Sequence, residues 1–68
     1  METRIFSTRF VSDNKATQMF NAAQEMGFEP WRKWGIAPNG RTYTAIIVDD
    51  VTDEQFETLA AKAREINA

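Results

Sequence analysis

Residues 28–48, FEPWRKWGIAPNGRTYTAIIV, place a turn signal between two strand-forming segments, and this pattern decides the fold. Pro38 followed by Asn39-Gly40 favours a tight reversal of the chain, so the stretch is expected to form a β-hairpin. Pro30 has no amide hydrogen to donate to a neighbouring strand, which places the first arm at a sheet edge. The second arm is apolar on both faces from Ala45 to Val48, as in a central strand.

A strand and a helix are predicted before the hairpin. Residues 3–11, TRIFSTRFV, are rich in β-branched and aromatic types, and Phe6 and Phe10 fall on one face of the expected strand. Ser12 or Asp13 then offers an N-cap for a helix. An apolar stripe at spacings of three and four marks this helix, and Gly27 ends it. The stripe consists of Ala16, Met19, Phe20, Ala23 and Met26.

A second helix is predicted after the hairpin. Residues 52–55, TDEQ, have the form of a capping box, with Thr52 as the N-cap and Gln55 three residues further on. The spacing of the apolar residues that follow is helical, and it gives this helix one apolar side. That side consists of Phe56, Leu59, Ala60, Ala63 and Ile66.

The resulting order β-α-β-β-α restricts the topology of one α+β domain over residues 1–68. A helix that joins two parallel strands crosses over in a right-handed sense, and the third strand then turns back between them. The expected sheet has three strands in the order 1-3-2, with both helices on one face. This is a split β-α-β unit, and it resembles a truncated ferredoxin-like fold that ends before its last strand. The first strand would be a free edge, and the helix-free face would be uncovered.

Trp31 and Trp34 lie three residues apart on the predicted edge strand. Successive side chains of a strand point to opposite faces, so the two indoles cannot share a face unless a β-bulge reorients one of them. We expect Trp34 to pack in the core and Trp31 to lie on the open face or at its rim. Tyr43 and Ile47 are expected on that open face, where an exposed apolar patch would mark a contact. Alternatively, both rings simply cover a domain too small to hide them.

Charge is distributed unevenly along the chain, although the net charge is only −2. Residues 1–48 carry six basic and four acidic side chains, whereas residues 49–68 carry six acidic and two basic ones. A general binder of the phosphate backbone is normally more basic than this. The acidic end suits a basic partner or, more simply, forms a solvated helix face.

The side chains that most often carry out catalysis are missing. The chain has no histidine and no cysteine, which excludes imidazole bases, thiolate nucleophiles and ordinary zinc, haem or iron–sulfur ligation. Its three glycines match neither the dinucleotide-binding nor the P-loop pattern. One carboxylate cluster, at Asp49, Asp50, Asp53 and Glu54, lacks a known cation-site spacing, and helix capping explains it better. We therefore expect no enzymatic activity, no cofactor and no metal.

The candidate partner-binding residues all belong to the hairpin. Tryptophan, tyrosine and arginine are the commonest hot-spot residues of protein interfaces. The leading hypothesis is a non-enzymatic protein-binding module that acts as an accessory factor, a regulator or an inhibitor of a larger complex. Small acidic single-domain proteins of this kind are common among phage-encoded modulators of host machinery. The candidate residues are Trp31, Arg32, Lys33, Arg41 and Tyr43.

Two other functions fit the same residues. Single-stranded nucleic acid would stack its bases on the aromatic rings and bring its phosphates to the cations, although the RNP1 pattern of RNA-recognition motifs is absent. A homodimer would pair two open faces or two first strands. No apolar run approaches the roughly 20 residues of a membrane span, so no membrane association is expected. The N-terminus lacks a signal-peptide pattern, which favours a cytoplasmic location.

Overall fold

The computed structural model describes residues 3–68, which form one three-stranded sheet with two helices. Both neighbours of the central strand run antiparallel to it, in the strand order β1-β3-β2. The predicted β-α-β-β-α sequence of elements and the 1-3-2 sheet are therefore confirmed. Within residues 3–68, neither helix has the length and apolarity that crossing a bilayer requires. The elements are β1 (Arg4–Phe10), α1 (Asp13–Glu25), β2 (Trp31–Ile36), β3 (Thr42–Val51) and α2 (Asp53–Asn67).

The core lies between the two helices and one face of the sheet. Alternate residues of β1 and β3 point to this face, and the helices cover it with side chains from their predicted apolar stripes, except for Met26, which is the C-cap of α1 and is exposed. Phe6 of β1 meets Phe56 of α2 edge to face, with ring centroids 5.3 Å apart. Burial of each large apolar side chain contributes roughly 1.5–3 kcal/mol. The largest fully buried side chains are Phe10, Met19, Ile46, Val48, Val51 and Leu59.

Capping residues set the ends of both helices. Ser12 is the N-cap of α1, and its hydroxyl accepts a hydrogen bond from the amide of Lys15 at 3.4 Å. Gly27 follows this helix with φ at 93°, a left-handed conformation that lets the next amides bond back to the last turn. At the start of α2, the Thr52 amide donates to the Gln55 side chain at 2.9 Å. The Gln55 amide donates to the Thr52 hydroxyl at 3.2 Å, so the predicted capping box is confirmed.

A three-residue turn at positions 38–40 joins β2 to β3, as predicted. The Gly40 amide donates to the carbonyl of Ala37 at 2.9 Å, and the Ala37 amide donates to the carbonyl of Arg41 at 2.8 Å. Gly40 has φ at 83°, a conformation that costs glycine no steric penalty. The side-chain oxygen of Asn39 accepts a further hydrogen bond from the Arg41 amide at 3.0 Å. These bonds fix the register of β2 against β3.

The strand β3 continues beyond Val48, where its apolar run ends, and it contains a β-bulge at residues 49–50. Phe6 pairs with Val48 and Arg4 pairs with Val51, so β3 has one more residue than β1 between these two pairs. Asp50, in the bulge, has φ at 56°, a left-handed conformation that short polar side chains tolerate better than bulky ones. Because of the bulge, Val48 and Val51 are both buried although they are three residues apart.

The helix layer is offset toward β1. The helix α2 packs mainly on β1, and α1 packs on β3 and β1, while neither helix packs extensively on β2. Both β1 and β2 are edge strands, as expected from the strand order. Only Gly35 in β2 is partly covered, and every other residue of this strand is exposed. The first arm of the hairpin is therefore the least covered strand of the sheet.

Candidate functional site

The two indoles lie on opposite sides of β2. Trp31 pairs with Ile47, which faces away from the helices, whereas Trp34 pairs with Thr44, which faces them. Residues directly opposite each other on neighbouring strands share a face of the sheet. The strand alternation expected from the sequence therefore holds for this pair, and Trp31 takes its predicted place on the open face.

The prediction that Trp34 packs in the core is wrong. Its side chain is 71% exposed, more than that of Trp31 at 61%. The cause is the offset of the helix layer toward β1, because neither helix packs closely on this edge of the sheet. Arg32 and Ile36 share the same side of β2 and are exposed as well. Strand alternation thus correctly predicted the side of the sheet on which Trp34 lies. Burial also requires a helix or another element packed over that side.

The five candidate residues from the sequence lie on one hairpin, but they do not form a single face. Trp31, Lys33 and Tyr43 belong to the open face, and Arg32 belongs to the helix side. Arg41 follows the turn and is exposed. The structure adds Trp34 to this set, beside Arg32. We define the hairpin surface as Trp31, Arg32, Lys33, Trp34, Arg41 and Tyr43.

Tyr43 is positioned across the open face by a neighbour on each side. The guanidinium carbon of Arg9 lies 4.5 Å from the centroid of its ring, in cation–π geometry. Toward the other edge, the Tyr43 ring lies over Gly35, where a Cβ atom would be only 2.5 Å from the hydroxyl oxygen. A strand glycine often marks such a close approach. The Tyr43 hydroxyl is therefore brought next to the backbone of the edge strand.

On the helix side, a shallow groove of about 310 Å³ separates β2 from the start of α1. Its lining consists of Asp13, Arg32, Trp34 and Thr44. The Thr44 hydroxyl donates to the Asp13 carboxylate at 2.9 Å, which satisfies a buried polar side chain. The guanidinium carbon of Arg32 lies 5.9 Å from the ring centroid of Phe20. The polar groups at the base of the groove are thus engaged, while the Trp34 indole stays accessible.

The cations of the hairpin surface have no acidic partner among the described residues. Within residues 3–68, the ion pairs are Arg4–Asp53 at 3.4 Å and Lys62–Glu65 at 3.5 Å. Neither pair includes a hairpin cation. Arg32 and Lys33 project to opposite sides of β2, and Arg41 stands at the turn. A basic region thus surrounds the edge strand in a chain whose net charge is −2.

The carboxylates near the start of α2 make structural contacts. Asp53 accepts a hydrogen bond from Arg4, and Asp50 accepts one from the Thr3 hydroxyl, each at 3.4 Å. Asp53 and Glu54 lie in the first turn of α2, where the helix dipole favours negative charge. Among residues 3–68, no three acidic side chains converge on a position that would hold a metal ion.

Comparison with known proteins finds no matching family model, no matching curated protein and no matching solved structure.

Sequence analysis did not predict the role of three residues: Trp34, a member of the hairpin surface, and Arg9 and Gly35, which contact its Tyr43. The signal for Trp34 was Arg32, because a charged residue on the same strand face argues against burial of that face. The signal for Gly35 was its position inside a strand, which often marks close approach of another group. Arg9 lies on β1, far from the hairpin in sequence, and only the register of β1 against β3 brings it over Tyr43.

Proposed function

We propose that this chain is a small non-enzymatic binding module that holds a protein partner through the hairpin surface, as an accessory factor, a regulator or an inhibitor. The supporting observation is the exposure of both indoles, 61% for Trp31 and 71% for Trp34, on opposite sides of an edge strand. Aromatic side chains offer about 150–250 Å² each for burial and dominate interface energetics. Two accessible indoles on one short strand give a partner a large area to cover.

The charged residues of the hairpin surface indicate what chemistry the partner presents. Arg32, Lys33 and Arg41 surround the indoles, and tryptophan, tyrosine and arginine are the usual hot-spot residues. Cations that form no ion pair within residues 3–68 favour a protein segment that brings carboxylates, since charge-assisted hydrogen bonds are among the stronger ones. Complementary charge also speeds encounter and fixes orientation. The proposed partner is therefore a protein with an acidic contact segment.

The non-enzymatic character of the module is supported by its side-chain inventory. The chain has neither histidine nor cysteine, the usual sources of general bases and nucleophiles near neutral pH. Of its carboxylates near α2, Asp53 is engaged with Arg4, and Asp50 with Thr3.

The fold itself is proposed to be a ferredoxin-like variant. Supporting this assignment, β1 and β2 are both antiparallel to the central β3, so they are parallel to each other and are joined by α1. Such a pair with a strand inserted between its members is the split β-α-β unit of that fold.

The test is affinity capture from an extract of the source cell with the whole chain, in parallel with Trp31→Ala and Ile5→Ala. Ile5 is a matched control because it is 65% exposed but lies on β1, outside the hairpin surface. Proteins that are captured by wild type and by Ile5→Ala, but not by Trp31→Ala, are purified. Their affinities for the three chains are then measured by calorimetry. We expect direct binding that Trp31→Ala weakens by about tenfold or more.

Two results would contradict the proposal. One is a purified partner that binds wild type and Trp31→Ala with equal affinity. The other is binding of a single-stranded oligonucleotide with a steep salt dependence, in place of any protein, which would point to nucleic acid as the ligand.

A further inference from the structure

We infer that the partner contributes an extended acidic segment, which adds to the outer edge of β2 as a fourth, antiparallel strand of the sheet. This inference rests on the proposed function and specifies how the same surface holds its partner. Addition of a peptide strand to an exposed sheet edge is a recurring recognition mode, in which main-chain hydrogen bonds give affinity and side-chain contacts give specificity.

The backbone of β2 has hydrogen-bonding groups available at its outer edge. The bond from the Ala37 amide to the Arg41 carbonyl sets the phase of the hairpin ladder. Hydrogen-bonded pairs alternate along an antiparallel ladder, so Trp31, Lys33 and Gly35 bond to β3. The residues whose amide and carbonyl groups point away from the sheet are Arg32, Trp34 and Ile36.

The two edge strands differ in their surroundings, and this difference favours β2 as the strand to which the partner adds. The edge of β1 adjoins a groove beneath α2, whose lining includes Phe56, Ala60 and Arg64, so α2 covers one side of any strand added there. Neither helix packs extensively on β2, and its residues beside this edge are almost all exposed. A strand added there has Trp31 beside it on one side of the sheet and Trp34 on the other.

The two indoles suit a strand better than they suit a flat protein surface. A flat surface covers only one side of the sheet, so it reaches Trp31 or Trp34 but not both. An added strand projects successive side chains to both sides and therefore contacts both indoles. The Tyr43 hydroxyl, held over Gly35, lies close to the same edge and offers a further hydrogen bond.

Charge complementarity specifies the chemistry of the added segment and where its acidic residues lie. Arg32 and Lys33 project to opposite sides of the strand, so carboxylates on either side of an added strand meet a cation. Arg41 adds positive charge at the turn end, whereas Glu29 precedes the other end of β2. The acidic residues of the segment therefore lie between Arg32 and the turn, and its uncharged residues lie at Trp31 and beyond it, toward Glu29.

The experiment titrates the ¹⁵N-labelled whole chain with a capped peptide of four glutamates followed by alternating threonine and valine. In an antiparallel arrangement, this peptide places its glutamates at the turn end of β2. A matched control has the same sequence and charge but carries N-methyl groups on all of its backbone amides, which removes its main-chain hydrogen-bond donors. Amide hydrogen exchange is measured for each residue of the hairpin.

We expect the unmodified peptide to slow exchange at the amides of Arg32, Trp34 and Ile36 by about tenfold at saturation. Exchange at Lys33 and Gly35 should change little, since these amides already bond to β3. The N-methylated peptide should bind far more weakly.

Equal binding of the two peptides, or binding that leaves those three amides unprotected, would overturn the inference. Either result would mean that side chains alone hold the acidic partner, without main-chain hydrogen bonds, so the proposed function would survive. Absence of any peptide binding, while a Trp31-dependent partner is captured from the extract, would also overturn it. The cations would then serve to keep the edge from pairing with other chains. The proposed function itself fails only when no Trp31-dependent protein partner is found.

Discussion

The hydroxyl oxygen of Tyr43 lies 2.5 Å from the point where a Cβ atom on Gly35 would stand. The two residues are paired across β2 and β3, so the ring uses the space that the missing side chain leaves. Arg9 covers the same ring from β1. One row of contacts thus crosses all three strands on the open face and ends at the edge strand.

Gly35→Ala should destabilise the protein by roughly 1–3 kcal/mol, the usual cost of forcing extra atoms into an occupied site. Replacing a strand glycine that contacts nothing should instead stabilise by roughly 0.5–1 kcal/mol, since glycine weakens regular structure. Urea unfolding measures the change. In a Tyr43→Ala background the clash is gone, so Gly35→Ala should there be neutral or stabilising. A stabilising effect of Gly35→Ala in the wild-type background would contradict the contact.

Trp34→Ala should cost less than about 1 kcal/mol of folding free energy, because surface substitutions away from buried contacts have small effects. The matched comparison is Leu59→Ala, in the fully buried core, which should cost about 2–5 kcal/mol. Both values come from urea unfolding curves. If Trp34→Ala were as costly as Leu59→Ala, the indole would belong to the core after all.

Thr52→Ala should lower the free energy of unfolding by about 0.5–2 kcal/mol, because it removes the N-cap of α2. Thr58→Ala is the matched control. Among residues 3–68, the Thr58 hydroxyl bonds only to the carbonyl of Glu54 within the same helix, at 3.1 Å, and alanine has the higher helix propensity. Thermal unfolding should therefore show a loss for Thr52→Ala and little change or a gain for Thr58→Ala. Equal losses would mean that the capping box does not stabilise the helix.

The free chain should be a monomer in solution. Arg9 and Lys33 lie on either side of Ala45, in the middle of the open face. If two open faces stacked about a two-fold axis through this point, the positive charges of one copy would face those of the other and repel them. Light scattering after size exclusion should give the monomer mass of 7.8 kDa. A stable dimer that dissociates in Trp31→Ala would instead identify a second copy as the occupant of the surface.

Most of the fold was predictable because its signals are local. The turn at residues 38–40, the N-cap expected at Ser12 or Asp13 and the capping box at Thr52 each act over three or four residues, and all three appear in the structure, with Ser12 as the N-cap. The alternation of apolar residues in β1 and β3 then fixes which face meets the helices.

The errors arose where the outcome depends on how elements sit relative to one another. Strand alternation predicted the side of the sheet on which Trp34 lies, but not the lateral offset of the helices, which leaves Trp34 exposed. The bulge at Asp50 likewise reverses alternation within β3, so that Val48 and Val51 are buried together. The approach of Arg9 to Tyr43 depends on the register between strands distant in sequence. None of these follows from a local pattern.

Tryptophan fluorescence tests the central claim most directly, because Trp31 and Trp34 are the only tryptophans of the chain. In the free protein, the single-tryptophan variants Trp31→Phe and Trp34→Phe should each be quenched by acrylamide nearly as strongly as free N-acetyl-tryptophanamide. Adding the purified partner should shift both emissions to shorter wavelength and protect both from the quencher. An indole already shielded in the free chain, or one that remains fully quenched in the complex, would contradict an edge strand that presents both rings for binding.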